Sequence, residues 1–585
     1  MSTASQKISV TEATDKLYEF ERAPVTPDKL QPGRYFAGLF AGEHVAGTEF
    51  VIGALFVAKG CTAWDIFVGL ALGNLLAVLM WTFLCAPIAV RTRLTLYWYL
   101  RQVGGPVVTV AYNLLNAFMF AILAGSMITV SASAVCAALG IKINTLALFP
   151  DNPLFVIVTL LVGAVVVLLA VLGFKRLGQF AVVCSPWMIL MFLAGALALL
   201  PTLSSLARQV PGMEDFGGMH SWHDFWRVAN SVIWTGQTPD GSTPWTFWQV
   251  AAFAAICNLA MNAGLADMAL FRYARHWGYG LYSSLGMFLG HYMAWICAGM
   301  MGAATALAFQ RPLNTISSGE LAYFALGVSG IIAVIIAGWT TSNPTIYRVG
   351  LALQVLTPNW PRWKVTAAAG IITTIVACSP FAFTRMLDFV GLYGLLCMPV
   401  GAIVLTEHWL FPRLGMAQCW ATRDGRNCWW PAMAAWIGSL VMVCAVTPQF
   451  GVVHLFHDNF RFIPAFFLTV ILYTVFARIA GAAKAPSGGD ACASAVDTST
   501  APESDGALAP VPATRQRSPL EWAVGGVALV CLVICIGWPL LVAFAGFDFD
   551  AFKRGLIVPT IVYFIFGTWY LVLRESEKKG GLMLS

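Results

Sequence analysis

Gly42-Glu43-His44-Val45-Ala46-Gly47-Thr48-Glu49 stands in the middle of the first long apolar segment of the chain, residues 34–57. A charged side chain at the bilayer centre costs about 2.5–3.5 kcal/mol on insertion scales, and glycine weakens a helix without adding packing. Two carboxylates, an imidazole and two glycines are therefore a poor composition for a plain anchor. They suit a helix that is interrupted near the midplane, with freed backbone and polar groups turned toward a cavity, as in solute and ion sites of transporters.

The rest of the chain agrees with a membrane setting. Of 585 residues, 59% are hydrophobic and 11% charged, against about 25% charged in ordinary soluble domains. Fourteen apolar runs are long enough to span: 34–57, 63–87, 106–138, 153–173, 178–201, 246–271, 282–310, 325–347, 365–383, 388–411, 430–447, 462–480, 521–546 and 555–573. They are called spans one to fourteen below. With residues 1–33 as a cytoplasmic tail, 25 of the 34 Lys and Arg fall on the inner side and 9 outside. This positive-inside bias predicts an even number of spans, both termini cytoplasmic, and insertion in a plasma membrane, most simply a bacterial inner membrane. The net charge of +6 is then a topology signal and predicts lipid, not nucleic acid, as the surrounding partner. No cleavable signal peptide is read in the polar tail before Arg34. The fourteen cysteines show no CxxC or other ligand spacing, which predicts neither a disulfide framework nor a zinc site.

Spans one to five cover residues 34–201, 168 in all, and spans six to ten cover 246–412, or 167. Near-equal halves with an odd number of spans each insert with opposite topology, the arithmetic of an inverted repeat whose sites lie where the halves meet. Span six repeats the irregularity of span one, with Asn258, Asn262, Gly264 and Asp267. Close helix packing on small residues is the alternative for Gly264. Between the halves, residues 202–245 hold Trp222, Trp226, Trp234 and Trp245 and read as an external loop at headgroup level. Spans eleven and twelve occupy 413–482. Residues 483–518, rich in Ala, Ser, Pro, Gly and Asp, read as a disordered cytoplasmic linker to a terminal two-helix hairpin and tail, 519–585.

In span eight, Ala337-Gly338-Trp339-Thr340-Thr341-Ser342-Asn343-Pro344-Thr345 concentrates hydroxyls and an amide in an aliphatic helix. Thr340 and Thr341 offer two uncharged hard oxygens, which suit sodium by the oxygen-ligand logic of hard cations, unless both hydroxyls simply bond back one turn. On the solute side stand acidic groups. Glu43, His44, Glu49 and Asp267 can bind a cationic or amine-bearing solute or carry a coupling proton; alternatively Glu43 and His44 pair with each other or with loop cations. His291 and Glu320 read as structural, and Arg272, Arg275 and Arg348 as orientation charges, with gate salt bridges as the other reading.

Five motifs follow one another in order: Gly60-Cys61-Thr62-Ala63-Trp64 leading into Gly69-Leu70-Ala71-Leu72-Gly73-Asn74-Leu75, Thr92-Arg93-Leu94-Thr95 through Gly104-Gly105, and Phe271-Arg272-Tyr273-Ala274-Arg275. Ala337 to Asn343 and Gly401-Ala402-Ile403-Val404-Leu405-Thr406-Glu407-His408-Trp409 complete the series. In these motifs, and over roughly residues 34–480, the chain resembles the nucleobase:cation symporters, which include cytosine, purine, uracil, allantoin, hydantoin and thiamine permeases. The resemblance implies a LeuT-like fold, all α, of two five-span inverted repeats with additional C-terminal helices; the last two spans make this a divergent member. It implies a sodium site built from the carbonyls of Gly42, Val45 and Ala337 and the hydroxyls of Thr340 and Thr341. The tryptophans with which the family stacks a flat heterocycle fall near Ile122 and Ala260 here, and its edge-binding amides on Ala46, Ser126 and Ile346. A shift of one or two residues brings Phe118, Phe120, Asn258, Asn262, Asn343 or Tyr347 into play. The expected solute site is thus Ala46, Glu49, Phe120, Ser126, Asn262, Asp267 and Asn343.

These readings predict a secondary transporter that couples uptake of a small nitrogen-containing solute, such as a nucleobase, related heterocycle or vitamin, to sodium as the coupling ion, with no other cofactor. The alternatives are proton-coupled transport of an amine or amino-acid-like solute, and a membrane sensor that transports nothing. An intramembrane enzyme is disfavoured, since no HExxH or second histidine cluster occurs at a matching depth.

Overall fold

The computed structural model describes residues 19–144, 147–357, 359–381, 386–445, 460–483 and 518–580. Most of the expected linker and the first half of the N-terminal tail lie outside the described residues. Among those described, nine helices are long and apolar enough to cross a membrane, and the bent pair Gly33–His44 and Glu49–Ala58 makes a tenth. The other four expected spans coincide with the broken helix beginning Phe247–Leu259, with Val328–Gln354, with Arg362–Ala377 and with the short apolar helix Trp430–Ala445. The chain is an all-helical, multi-pass membrane protein.

Both sequence irregularities are breaks in the backbone. In span one, helix Gly33–His44 stops at Val45 (φ −98°, ψ 61°) and restarts at Glu49, with a 47° bend between the two pieces. In span six, helix Phe247–Leu259 gives way to three consecutive left-handed residues, Asn262, Ala263 and Gly264, before the short turn of helix Met268–Phe271. Glycine takes a positive φ at no steric cost, and Gly264 (φ +80°) has a second reason to lack a side chain: a Cβ there would lie 2.8 Å from the Trp81 indole nitrogen.

The packing pattern carries the repeat. Spans three and eight lie along each other, as do spans four and nine. The first half of span one, Gly33–His44, packs on span five and its second half, Glu49–Ala58, on span seven, while span six packs on span two and on span ten. Exchanging each span of the first five with its counterpart five later maps these contacts onto one another. Span three, helix Leu96–Ala138, is kinked at Gly105-Pro106 and is capped by the Thr95 hydroxyl, which accepts from Trp98 N–H at 3.2 Å.

The terminal hairpin, helices Pro519–Ala545 and Ile557–Gly580, is docked on the repeats, not only tethered to them. Tyr563 Oη donates to the Val183 carbonyl of span five at 2.7 Å, and Thr560 lies 3.2 Å from Ser329 and 3.3 Å from Trp187 Nε1. Glu575 accepts from Tyr35 Oη at 2.7 Å, pairs with Arg34 at the start of span one, and has Lys175 at 3.8 Å. Among the described residues Cys419 is disulfide-bonded, where the spacing of the cysteines predicted no disulfide framework.

Candidate substrate and ion site

The two breaks meet on a narrow cavity of about 80 Å³. From span one it is lined by Glu43, His44, Ala46 and Glu49, from span six by Asn258, and from span seven by His291 and Trp295. Thr341 and Thr345 of span eight and Tyr393 of span ten complete its polar rim. A water molecule's share of liquid is about 30 Å³, and drug-sized ligands occupy pockets of about 300–1,000 Å³, so the cavity is closed down in this conformation.

Glu49 heads the second half of span one and is 2% exposed. It accepts a hydrogen bond from Trp295 Nε1, and His291 Nε2 stands 3.5 Å from its other oxygen. The His291 ring stacks on Trp295 with centroids 4.5 Å apart and meets His44 edge-on at 4.9 Å. Two polar atoms at this wall have no partner among the described residues: His291 Nδ1 and Asn258 Oδ1. The Asn258 amide nitrogen is held by Asn74 Oδ1 at 2.9 Å and the Ala254 carbonyl at 2.7 Å, which fixes its orientation.

At one end of the cavity lies an ion network. Arg348 of span eight, 1% exposed, forms a two-pronged contact with Glu43, at 2.5 and 3.0 Å, and also pairs with Asp267 of span six. One guanidinium thus joins both breaks to span eight. Arg348 is not the orientation charge expected at an inner helix end, because it is enclosed by protein, as are Arg272 and Arg362. Its gate-pair reading fits this geometry. Glu43 pairs with Arg348, neither with His44 nor with a loop cation.

The expected ion residues are gathered between spans one, five and eight. Thr341 Oγ1 donates to the Glu43 carbonyl at 2.8 Å and lies 3.1 Å from Ala337 O, and Thr340 Oγ1 lies 3.1 Å from both Ile336 O and Ala337 O. A Cβ on Gly42 would sit 3.5 Å from Thr340 Cβ. Gly42, Val45, Ala337, Thr340 and Thr341 are all buried. The threonines do bond back one turn, yet a donating hydroxyl keeps lone pairs for a cation. Glu43 O, which the resemblance did not name, is the span-one carbonyl that Thr341 reaches.

Of the seven expected solute residues, only Ala46 and Glu49 line the cavity. Phe120 packs edge-on behind Tyr393, with centroids 5.4 Å apart. Ser126 donates to the Ile122 carbonyl at 2.9 Å. Asn262 accepts from Tyr112 Oη at 2.6 Å and donates to Cys397 O at 2.9 Å, which secures the left-handed turn. Asp267 is taken by Arg348. Asn343 is 1% exposed, off the cavity, and neither amide atom has a partner among the described residues. Sequence reasoning passed over Trp295, Tyr393 and His291, the last read as structural. Glu320 is structural as expected: it closes the capping box with Ser317 and pairs with Arg311 at 3.1 Å.

No protein-family model matches this chain, and no curated protein matches it in sequence. In structure it is similar to Mhp1, a nucleobase-cation-symport-1 family transporter, in a closed conformation with bromovinylhydantoin bound. The TM-score is 0.61 at 15% identity, covering 82% of this chain and 99% of that one. It is similar also to a Na⁺-coupled sialic acid symporter in a substrate-bound outward-open state, with TM-score 0.55, 14% identity, and 80% and 96% covered. The inward-facing conformation of Mhp1 gives TM-score 0.53 at 15% identity, with 81% and 97% covered. The fold is therefore that of the LeuT-type transporters, and the solved structures that share it here are transporters, not enzymes.

Proposed function

We propose that this protein is a secondary transporter that imports a small, nitrogen-containing solute together with sodium by alternating access, as a divergent nucleobase:cation symporter. The observation that carries the reading is the meeting of two broken spans around one closed cavity, with the Thr341 hydroxyl of span eight against the Glu43 carbonyl of span one. One sodium ion falling through about 100 mV and a tenfold gradient supplies about 3.7 kcal/mol, enough for about 500-fold accumulation.

The cavity wall favours N–H donors. Glu49, Asn258 Oδ1 and His291 Nδ1 present acceptors, and acceptors select donors or cations. The family's stacking positions hold Ile122 and Ala260, but Trp295 with His291 on one side and Tyr393 on another offer aromatic faces from spans seven and ten instead. A flat heterocycle with ring N–H groups fits that chemistry.

The test is uptake of radiolabelled nucleobases, hydantoins, vitamins and amines into proteoliposomes, with and without an inward sodium gradient. Sodium-dependent accumulation of an N–H heterocycle is expected, with Glu49→Gln weakening solute binding more than sodium binding. Uptake driven by a pH gradient alone would favour the proton-coupled reading, for which Glu49 beside His291 is the pair to mutate. A solute with no N–H donor, or full affinity in Glu49→Gln, would overturn this account of the pocket.

A further inference from the structure

A second, larger cavity of about 540 Å³ opens on the face that carries the N-terminal tail, away from the substrate cavity. Three separate stretches wall it: Arg22 of the tail, Trp98 and Arg101 at the start of span three, and Thr422, Arg426 and Asn427 between spans ten and eleven. The walls are tied together by main-chain bonds. Val107 N–H donates to Asn427 O at 3.0 Å, and Trp429 N–H to Gly104 O at 3.0 Å. Gly105 makes this approach possible, since its φ is +81° and a Cβ would lie 2.8–2.9 Å from the carbonyls of Asn427 and Arg426.

The charge inside is one-sided. No Asp or Glu lines the cavity, while three guanidinium groups do. Arg426 is neutralised by Asp424. Arg22 is half-buried; one of its terminal nitrogens donates to Gln354 O at 2.5 Å, and its Nε is buried with no partner among the described residues. Arg101 lies over the Trp98 ring at 5.5 Å and has no ion pair among the described residues. Burial lowers the Arg22 guanidinium below its ordinary value; Glu21 opposes this and the charge of Arg101 adds to it. Cations that serve only to orient a membrane protein stay solvated, whereas Arg22 is drawn inward beside a like charge. An anion between the two relieves both the repulsion and the orphaned donor.

We propose that this cavity is a binding site for an organic phosphate, with Arg22 and Arg101 gripping the phosphate and Trp98 covering the attached group. Guanidinium forks match phosphate oxygens, and basic pockets on the inner side of membrane proteins take lipid headgroups by the same chemistry. The volume exceeds that of a bare phosphate and falls within the range of small-molecule pockets. The phosphate can come from a soluble metabolite or from an anionic phospholipid.

The experiment is a thermal-shift titration of the full-length protein in neutral detergent with two probes, adenosine monophosphate and dioctanoyl phosphatidylglycerol, and dioctanoyl phosphatidylcholine as the zwitterionic control. Stabilisation by adenosine monophosphate identifies a soluble source, and by phosphatidylglycerol but not phosphatidylcholine a lipid source. In either case R101Q, an exposed position that leaves the fold intact, is expected to weaken binding at least tenfold, and R22Q/R101Q to abolish it. R208Q, in the connection between the repeats, should bind like the parent. No shift with either probe, or shifts unchanged in R101Q, would overturn the proposal. Neither result depends on whether the protein transports anything.

Discussion

Arg348 compensates two carboxylates from different breaks, so its removal leaves Glu43 and Asp267 facing each other inside the protein. Breaking a buried pair by deleting one partner costs about 3–5 kcal/mol, because the charge left behind has no water to turn to. Arg348→Gln should therefore lower the unfolding midpoint sharply in detergent, and Glu43→Gln with Asp267→Asn in the same chain should restore most of the loss. If the triple variant is no more stable than Arg348→Gln, the network is not held together by charge. At the ion junction, Thr341→Ala removes the hydroxyl that touches Glu43 O and is expected to raise the sodium concentration for half-maximal solute binding about tenfold, the equivalent of about 1.4 kcal/mol. An unchanged sodium requirement would remove Thr341 from the ligand set.

Among the elements, the terminal hairpin changes how span one is understood. Glu575 gathers Arg34, Tyr35 and Lys175, so the start of span one and the start of span five are held by a helix that lies outside both repeats. If the cavity opens to this face by a swing of the segment Gly33–His44, the bonds from Glu575 to Arg34 and Tyr35 oppose it. Cys257 lines the cavity and reports access to it. In Glu575→Ala, modification of Cys257 by a membrane-impermeant thiol reagent applied from the tail side should accelerate about tenfold, a release of about 1.4 kcal/mol. Cys257→Ser must lose the signal, and equal rates in parent and Glu575→Ala would show that the hairpin does not restrain the opening.

At the scale of the whole molecule, Arg34 and Glu575 meeting at one level puts the beginning of span one and the end of the last helix on the same face. Trp222, 70% exposed, belongs to the connection between the repeats. The connection joins the opposite end of span one, where Trp245 N–H bonds Lys59 O at 3.0 Å. With both termini cytoplasmic, a cysteine placed at Trp222 should react with an impermeant maleimide added to intact cells. Labelling only after the membrane is opened would invert the assigned orientation.

The architecture was legible in sequence because its signals are local: apolar run length, the cluster Gly42 to Glu49, and the Asn262 to Gly264 turn all act within one helix. The site was legible in part. Glu49 announced itself as a carboxylate in an apolar helix, but Arg348 lies 305 residues from Glu43, and a lone arginine near a helix end reads as a topology charge. Trp295 and Tyr393 carry no periodic signature that separates a cavity wall from ordinary packing. The Asp267 pairing with Arg348 was hidden for the same reason, since the partner is not a neighbour in the chain.

The smallness of the substrate cavity has a consequence for measured affinities. A space of about 80 Å³ does not admit a heterocycle, so the conformer described here is one that solute does not enter. Solute binding then draws only on the fraction of molecules that have opened, and the observed dissociation constant exceeds the intrinsic one by the inverse of that fraction. If one molecule in ten is open, affinity is understated about tenfold, and a substitution far from the pocket that favours opening will look like a better binder without having gained a contact.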